Sequence, residues 1–178
     1  MLESPEPTLF YIPYQRFLEE VEAVARLIEA DEWRPDFLVG IGRGGLVPAA
    51  FLSHRIGIAM LSVDHSSGEV GFGDELLDKL AAKIRDGRRI LIVDDINDSG
   101  GTIAYLRAAV DTKSGDPAAL RVAVLVNNIR SKAKSEYRGS EIDRDADKRW
   151  YVFPWEAVAP RATLTLAALA VPERLGRA

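Results

Sequence analysis

The stretch RILIVDDINDSGGT, residues 89–102, constrains the fold of this chain more than any other. RILIVD (89–94) reads as a buried central strand, and it stops at two adjacent acids. A cluster of small residues then opens onto TIAYLRAAV (102–110), which has helical texture. DFLVGI (36–41) repeats the pattern: an apolar run halts at a glycine cluster, and GLVPAAFLSHRIG (45–57) continues as a helix whose first turn suits Pro48. Further strands are expected at 58–63, 121–127 and 150–153. Helices are expected at 14–31, where Phe17, Val21, Val24 and Ile28 recur at helical spacing, and at 74–85. Residues 64–73 read as a glycine- and serine-rich loop, and 128–149 as a charged, solvated, partly irregular insertion. Strands alternating with helices argue for an α/β fold, a mostly parallel central sheet with helices on both faces. Such sheets bind ligands at the carboxyl ends of their strands, where both glycine clusters, 42–45 and 100–101, fall.

Composition removes several classes of function. The 178 residues are 47% hydrophobic and 28% charged, as in a folded globular protein. A net charge of −4, with bases and acids interspersed through 130–149, offers no basic stripe for nucleic acid. There are no cysteines for disulfides or thiolate metal sites, and two histidines are too few for a His-rich one. The N-terminal segment has acids and prolines where a signal peptide needs a basic start and an apolar run. The apolar stretch 162–171 falls short of the roughly 20 residues that span a bilayer. A soluble, cytoplasmic protein is expected, with no membrane partner.

DDINDSGGT (94–102) admits two chemistries. Read from Asp95, it places Asp95, Asn97, Ser99 and Gly100 at positions 1, 3, 5 and 6 of a calcium loop. Position 12 is then Leu106 instead of a bidentate Glu, and a strand precedes the loop where a helix belongs. Read from Asp94, it is an acidic pair followed by a phosphate cradle. Backbone N–H groups at a helix start, unobstructed at Gly100 and Gly101, can converge on a phosphate, with hydroxyls added by Ser99 and Thr102. The neighbouring carboxylates then need another partner, either sugar hydroxyls or Mg²⁺. An ordinary N-cap explains one polar residue here, not three Asp, an Asn and a Ser.

VDDINDSGGT resembles the phosphoribosyl-pyrophosphate (PRPP) motif of type I phosphoribosyltransferases. The resemblance implies that Asp94 and Asp95 hold the ribose hydroxyls directly or through Mg²⁺. It also implies that Asp98, Ser99, Gly100, Gly101 and Thr102 wrap the 5′-phosphate, and that Asp98 exchanges a proton with the base. VGIGRGGLVPA (39–49) is similar to the pyrophosphate loop of the xanthine-guanine group, with Arg43 as the charged contact and Gly44 and Gly45 allowing close approach. WYVFPWE (150–156) resembles the hood of 6-oxopurine phosphoribosyltransferases, where Trp150 would stack on the base and Glu156 would sit near its exocyclic edge.

Where that family carries a lysine toward the purine 6-oxo group, this chain has Asn127. An asparagine can donate to a carbonyl but brings no charge. The expected organisation is one domain over 1–178, with a core at about 34–128 and a small hood from about 1–13 and 129–178. The region 64–85 stands where the family has its mobile lid. The resemblance implies Mg²⁺-dependent transfer of phosphoribose from PRPP to a purine base, in a homodimer or higher homo-oligomer. The alternatives are a PRPP- or nucleotide-sensing regulator on the same fold, or transfer to another base.

Overall fold

The structure is a computed structural model that describes residues 6–63 and 72–171. The 64–71 part of the proposed lid lies outside the described residues. In chain order the elements are β1 (Leu9–Tyr11), α1 (Tyr14–Ala30), β2 (Phe37–Ile41), α2 (Gly42–Ile56), β3 (Met60–Val63), α3 (Phe72–Arg85), β4 (Ile90–Asn97), α4 (Gly101–Ser114), β5 (Leu120–Asn128), β6 (Tyr137–Ile142), β7 (Trp150–Val152) and α5 (Arg161–Leu169). Strands β3-β2-β4-β5-β6 form a five-stranded sheet in that order, and every neighbouring pair is parallel.

Central strands need apolar residues on both faces because helices cover both. Leu38, Leu91, Val93, Ala123 and Leu125 pack with α1 and α2, whose share of that layer includes Phe17, Val24, Ile28, Ala49 and Leu52. Val39, Ile41, Ile90, Ile92, Val122 and Val124 pack on the other face with Leu77 and Leu80 of α3 and Ile103 and Leu106 of α4. Burying a side chain of this kind contributes about 1.5–3 kcal/mol. The three-layer α/β/α arrangement follows directly from the continuous apolar runs.

Three local expectations change. β4 does not stop at the acids but runs to Asn97, because Asp94, Ile96 and Asn97 stay in register with Val124, Val126 and Asn127 of β5. Only three residues then separate β4 from α4. α2 starts at Gly42, so the glycine cluster is the first turn of the helix and Pro48 falls in its second turn. The supposed insertion 128–149 contains β6, the edge strand of the sheet, whose Tyr137 and Ile142 are buried while Arg138 and Glu141 face solvent. Full burial is limited to its two ends, which leaves the strand a polar sequence and hid it among the charges. β7, in the segment assigned to the hood, stands outside the main sheet and pairs with β1 through Leu9↔Trp150, Phe10↔Tyr151 and Tyr11↔Val152.

Glu20 of α1 is buried against β6. Its Oε1 accepts from Arg16 Nε and Ser140 Oγ at 3.1 and 2.8 Å. Gly139 makes the room, since a Cβ there would stand 2.9 Å from Glu20 Cβ. Among the described residues no helix is long and apolar enough to cross a membrane.

Candidate active site

β2 and β4 are neighbours, and each delivers the chain to a helix start at the carboxyl edge of the sheet. Neither helix has a side-chain N-cap. Ile41 precedes α2, and Gly100, in the left-handed region at φ 85°, precedes α4. The first-turn N–H groups of two helices are thus presented side by side, and each start carries the partial positive charge of its helix dipole. Ser99 Oγ reaches one of these donors, Gly101 N, at 3.4 Å.

Between the helix starts stand the acids. Asp94 and Asp95 line a cavity of about 690 Å³ together with Arg43 and Gly44 of α2, Thr102 of α4, and Glu156. Asp94 Oδ1 accepts from the Asp95 N–H at 3.0 Å. Trp155, Val158, Leu164 and Ala167 add apolar lining. The cavity therefore presents amides, a guanidinium and carboxylates together with apolar surface that suits a flat group.

The glycines have tertiary causes. A Cβ on Gly44 would stand 2.6 Å from Asp95 Oδ2, and one on Gly45 would collide with the Val93 carbonyl oxygen. A Cβ on Gly100 would meet Ser131 Oγ and the Ala133 amide, both at 2.6 Å. The first pair lets α2 lie directly on β4. Gly100 lets the segment after β5 pack against the turn that starts α4.

Asp98 is placed differently from the acidic pair. It is nearly fully buried and forms a two-pronged ion pair with Arg144. Nε lies 3.1 Å from both carboxylate oxygens, and Nη2 lies 2.9 Å from Oδ2. Asn128 braces both partners: its Nδ2 donates to the Asp98 carbonyl at 3.0 Å, and its Oδ1 accepts the Arg144 N–H at 3.2 Å. Nothing in the local sequence around Asp98 announces Arg144. The only signal was an arginine in a charged stretch otherwise taken as solvated.

Asn127 is tied into a polar network. Its Oδ1 accepts from Asn97 Nδ2 at 2.8 Å and from Ser135 Oγ at 3.0 Å, and Ser131 Oγ bonds Asn97 Oδ1 at 2.7 Å. It lines a separate cavity of about 400 Å³ with Ser131, Lys132 and Lys134. Half-buried Trp150 lies in β7, where its N–H donates to the Thr8 carbonyl at 2.8 Å, and it is not among the residues lining the larger cavity. The tryptophan in that wall is Trp155, stacked on Phe153 at 4.9 Å and edge-on to Phe17 at 5.4 Å.

Burial pushes the Glu156 carboxyl above its ordinary value, although the Phe153 N–H at 3.0 Å and the charge of Arg43 pull it partly back. A carboxyl raised in the folded state binds its proton more tightly there than in the unfolded chain. Its contribution is present below the unfolded value and is lost as pH rises through the folded value. Glu156→Gln, which keeps an acceptor for Phe153, is therefore expected to melt higher than wild type near pH 8. The gain should disappear by about pH 4, and thermal melts across that range check it.

A family model described as the phosphoribosyl transferase domain matches residues 14–159, which takes in both helix starts, the acids and Glu156. The chain belongs to that family. The phosphoribosyltransferase is 34% identical over 123 residues to the xanthine-guanine phosphoribosyltransferase of Gluconobacter oxydans (strain 621H), an alignment covering 67% of each chain. Two solved structures share its fold. The Helicobacter pylori xanthine-guanine-hypoxanthine phosphoribosyltransferase aligns with TM-score 0.63 at 20% identity, over 84% of this chain and 93% of that one. A hypothetical protein from Neisseria gonorrhoeae, with bound ppGpp, aligns with TM-score 0.65 at 21% identity, over 92% and 97% respectively.

Proposed function

We propose that this phosphoribosyltransferase moves the phosphoribosyl group of PRPP to N9 of a 6-oxopurine (hypoxanthine, guanine or xanthine), forming a purine mononucleotide and pyrophosphate in purine salvage. The observation that carries this reading is the pair of open helix starts on neighbouring strands with Asp94 and Asp95 between them. Two anion sites flanking a carboxylate pair match a sugar phosphorylated at both ends. The purine class is supported by the names of the Gluconobacter and Helicobacter proteins and by the apolar residues that line the cavity with the acids.

As pyrophosphate leaves, C1′ gains oxocarbenium character. Arg43 and the Gly44 and Gly45 amides at the start of α2 bind the departing anion, where charge develops. Asp94 and Asp95 orient the ribose, and the turn Asp98–Thr102 holds the 5′-phosphate. Asp98 handles the base proton, and Glu156, which lines the cavity, serves the base. Among the described residues no group of three or more His, Cys, Asp or Glu assembles for a metal ion. The Asp94–Asp95 pair still fits Mg²⁺, which ordinarily takes one or two carboxylates and completes its shell with water and substrate phosphates. When bound, Mg²⁺ would neutralise charge on the pyrophosphate.

Pyrophosphate release from PRPP and Mg²⁺, measured across hypoxanthine, guanine, xanthine, adenine, uracil and orotate, tests the reading. Turnover with a 6-oxopurine is expected to exceed that with the other three bases by at least about 100-fold, the scale on which a site built to hydrogen-bond a group rejects bases lacking it. Consumption of only pyrimidines or adenine would overturn the base class. The ppGpp in the neisserial structure favours a second reading, a nucleotide-sensing regulator. Tight binding of PRPP or nucleotide with no base consumed would select it. Arg43→Ala is expected to raise the KM for PRPP about 10- to 100-fold, the scale of a charge-assisted hydrogen bond. Asp95→Ala should weaken PRPP binding as well, by titration calorimetry.

A further inference from the structure

We propose that Arg144 is a positioning residue for the base-transfer step, holding the Asp98 carboxylate in one orientation beside the ribose-phosphate site. The inference rests on the reading of Asp98 given above. Its own support is the geometry of the ion pair and the way each half is anchored.

Arg144 lies just beyond β6, 46 residues from Asp98 in sequence, and is 7% exposed. A fork of two nitrogens on one carboxylate fixes the rotation of that carboxylate as well as its position. The guanidinium is itself immobilised. Its Nη1 donates to the carbonyls of Arg149 at 2.6 Å and Asp147 at 3.3 Å, and its plane lies 5.1 Å from the ring centre of Tyr151. That loop is clamped in turn, because Asp147 accepts from Arg149 Nη2 and from the Tyr151 hydroxyl, both at 2.8 Å. The orientation of Asp98 is therefore set by the segment that leads into β7 and Trp150.

The backbone of the phosphate turn is held by different bonds. Asn128 Nδ2 fixes the Asp98 carbonyl, and the Lys132 N–H donates to the Ser99 carbonyl at 3.3 Å. Removing the guanidinium leaves these bonds in place. The carboxylate loses its orientation while the cradle for the 5′-phosphate keeps its shape. Arg144 thus acts on the base side of the reaction and not on capture of PRPP.

Steady-state kinetics, with PRPP and the preferred base varied separately, test this on wild type, Arg144→Lys, Arg144→Met and Asp98→Asn. Lys keeps the charge that compensates buried Asp98 but offers a single point in place of a fork. Arg144→Lys is expected to lose about tenfold in kcat/KM for the base and Arg144→Met about 100-fold or more, the size of a general acid–base contribution. The KM for PRPP should stay within about threefold in both. A role in stability alone would leave this split absent in protein that is folded by circular dichroism. If Arg144→Met does not fold, Arg144→Lys decides. The proposal is overturned if folded Arg144→Lys matches wild type in kcat/KM for the base, or if the KM for PRPP rises in step with the loss. An inactive Asp98→Asn beside fully active Arg144 variants removes only the positioning role. A fully active Asp98→Asn removes the reading of Asp98 and this inference with it.

Discussion

Asp98→Asn is expected to lower kcat by about 10²- to 10⁴-fold, the range of a lost general acid–base group. PRPP affinity should remain within about threefold. On the proposed reading the side chain carries the proton chemistry, whereas the turn proposed to cradle the 5′-phosphate is pinned through main-chain atoms by Asn128 and Lys132. The substitution has a second effect that the acid motif alone does not suggest. Asn retains one acceptor for Arg144 but turns an amide toward the other donor, and the buried guanidinium loses its counter-charge. Breaking a buried pair from one side costs about 3–5 kcal/mol. For a chain of this size that is roughly 6–20 °C in Tm. Calorimetric melts beside the kinetics separate the two losses. Wild-type kcat in Asp98→Asn would exclude it from proton transfer, and an unchanged Tm would mean that the ion pair contributes nothing to the fold.

Gly45→Ala carries the largest expected loss of stability. The added methyl would overlap the carbonyl oxygen of Val93 and approach Asp94 Cα at 3.2 Å, so it meets the backbone of a central strand and not a side chain that can rotate away. The overlap must be relieved by lifting α2 from β4, which opens the layer formed by Ala49, Leu52, Leu91 and Val93. Overpacking costs about 1–3 kcal/mol where side chains can adjust, and occasionally more. With backbone as the obstacle, at least about 3 kcal/mol is expected, and the urea midpoint should fall accordingly. A loss below about 1 kcal/mol would mean that α2 and β4 do not approach this closely. By displacing the start of α2, the same substitution should also raise the KM for PRPP.

The two substitutions mark how far local pattern reaches. The resemblance of VGIGRGGLVPA to a pyrophosphate loop implied that Gly44 and Gly45 allow close approach of an anion. The structure adds Asp95 and Val93 as the groups that exclude a Cβ. β4 was legible as a buried strand, but its continuation through Asp95, Ile96 and Asn97 was not. Those polar positions extend only because β5 runs alongside them in register. YRGSEI, 137–142, lacked an apolar run because β6, an edge strand, buries fully only its two ends. WYVFPWE was legible as an aromatic site element, yet which tryptophan faces the large cavity depended on β7 pairing with β1, which leaves Trp155 in its wall.

The sequence by itself determined the alternation of strands and helices, the parallel α/β class, and two glycine-bearing turns at strand ends with an acidic pair between them in the chain. Each of these is written within a dozen or so residues, in side-chain periodicity and in the backbone freedom of glycine. Only the tertiary structure decided that the two turns stand on adjacent strands, that Asp98 is paired with Arg144, that Asn127 is bound into a polar network, and that residues 137–142 complete the sheet. Those outcomes depend on segments distant in the chain meeting at hydrogen-bond range. A buried charge must find an opposite charge, and a strand edge must find a partner, but residue type alone does not say which one.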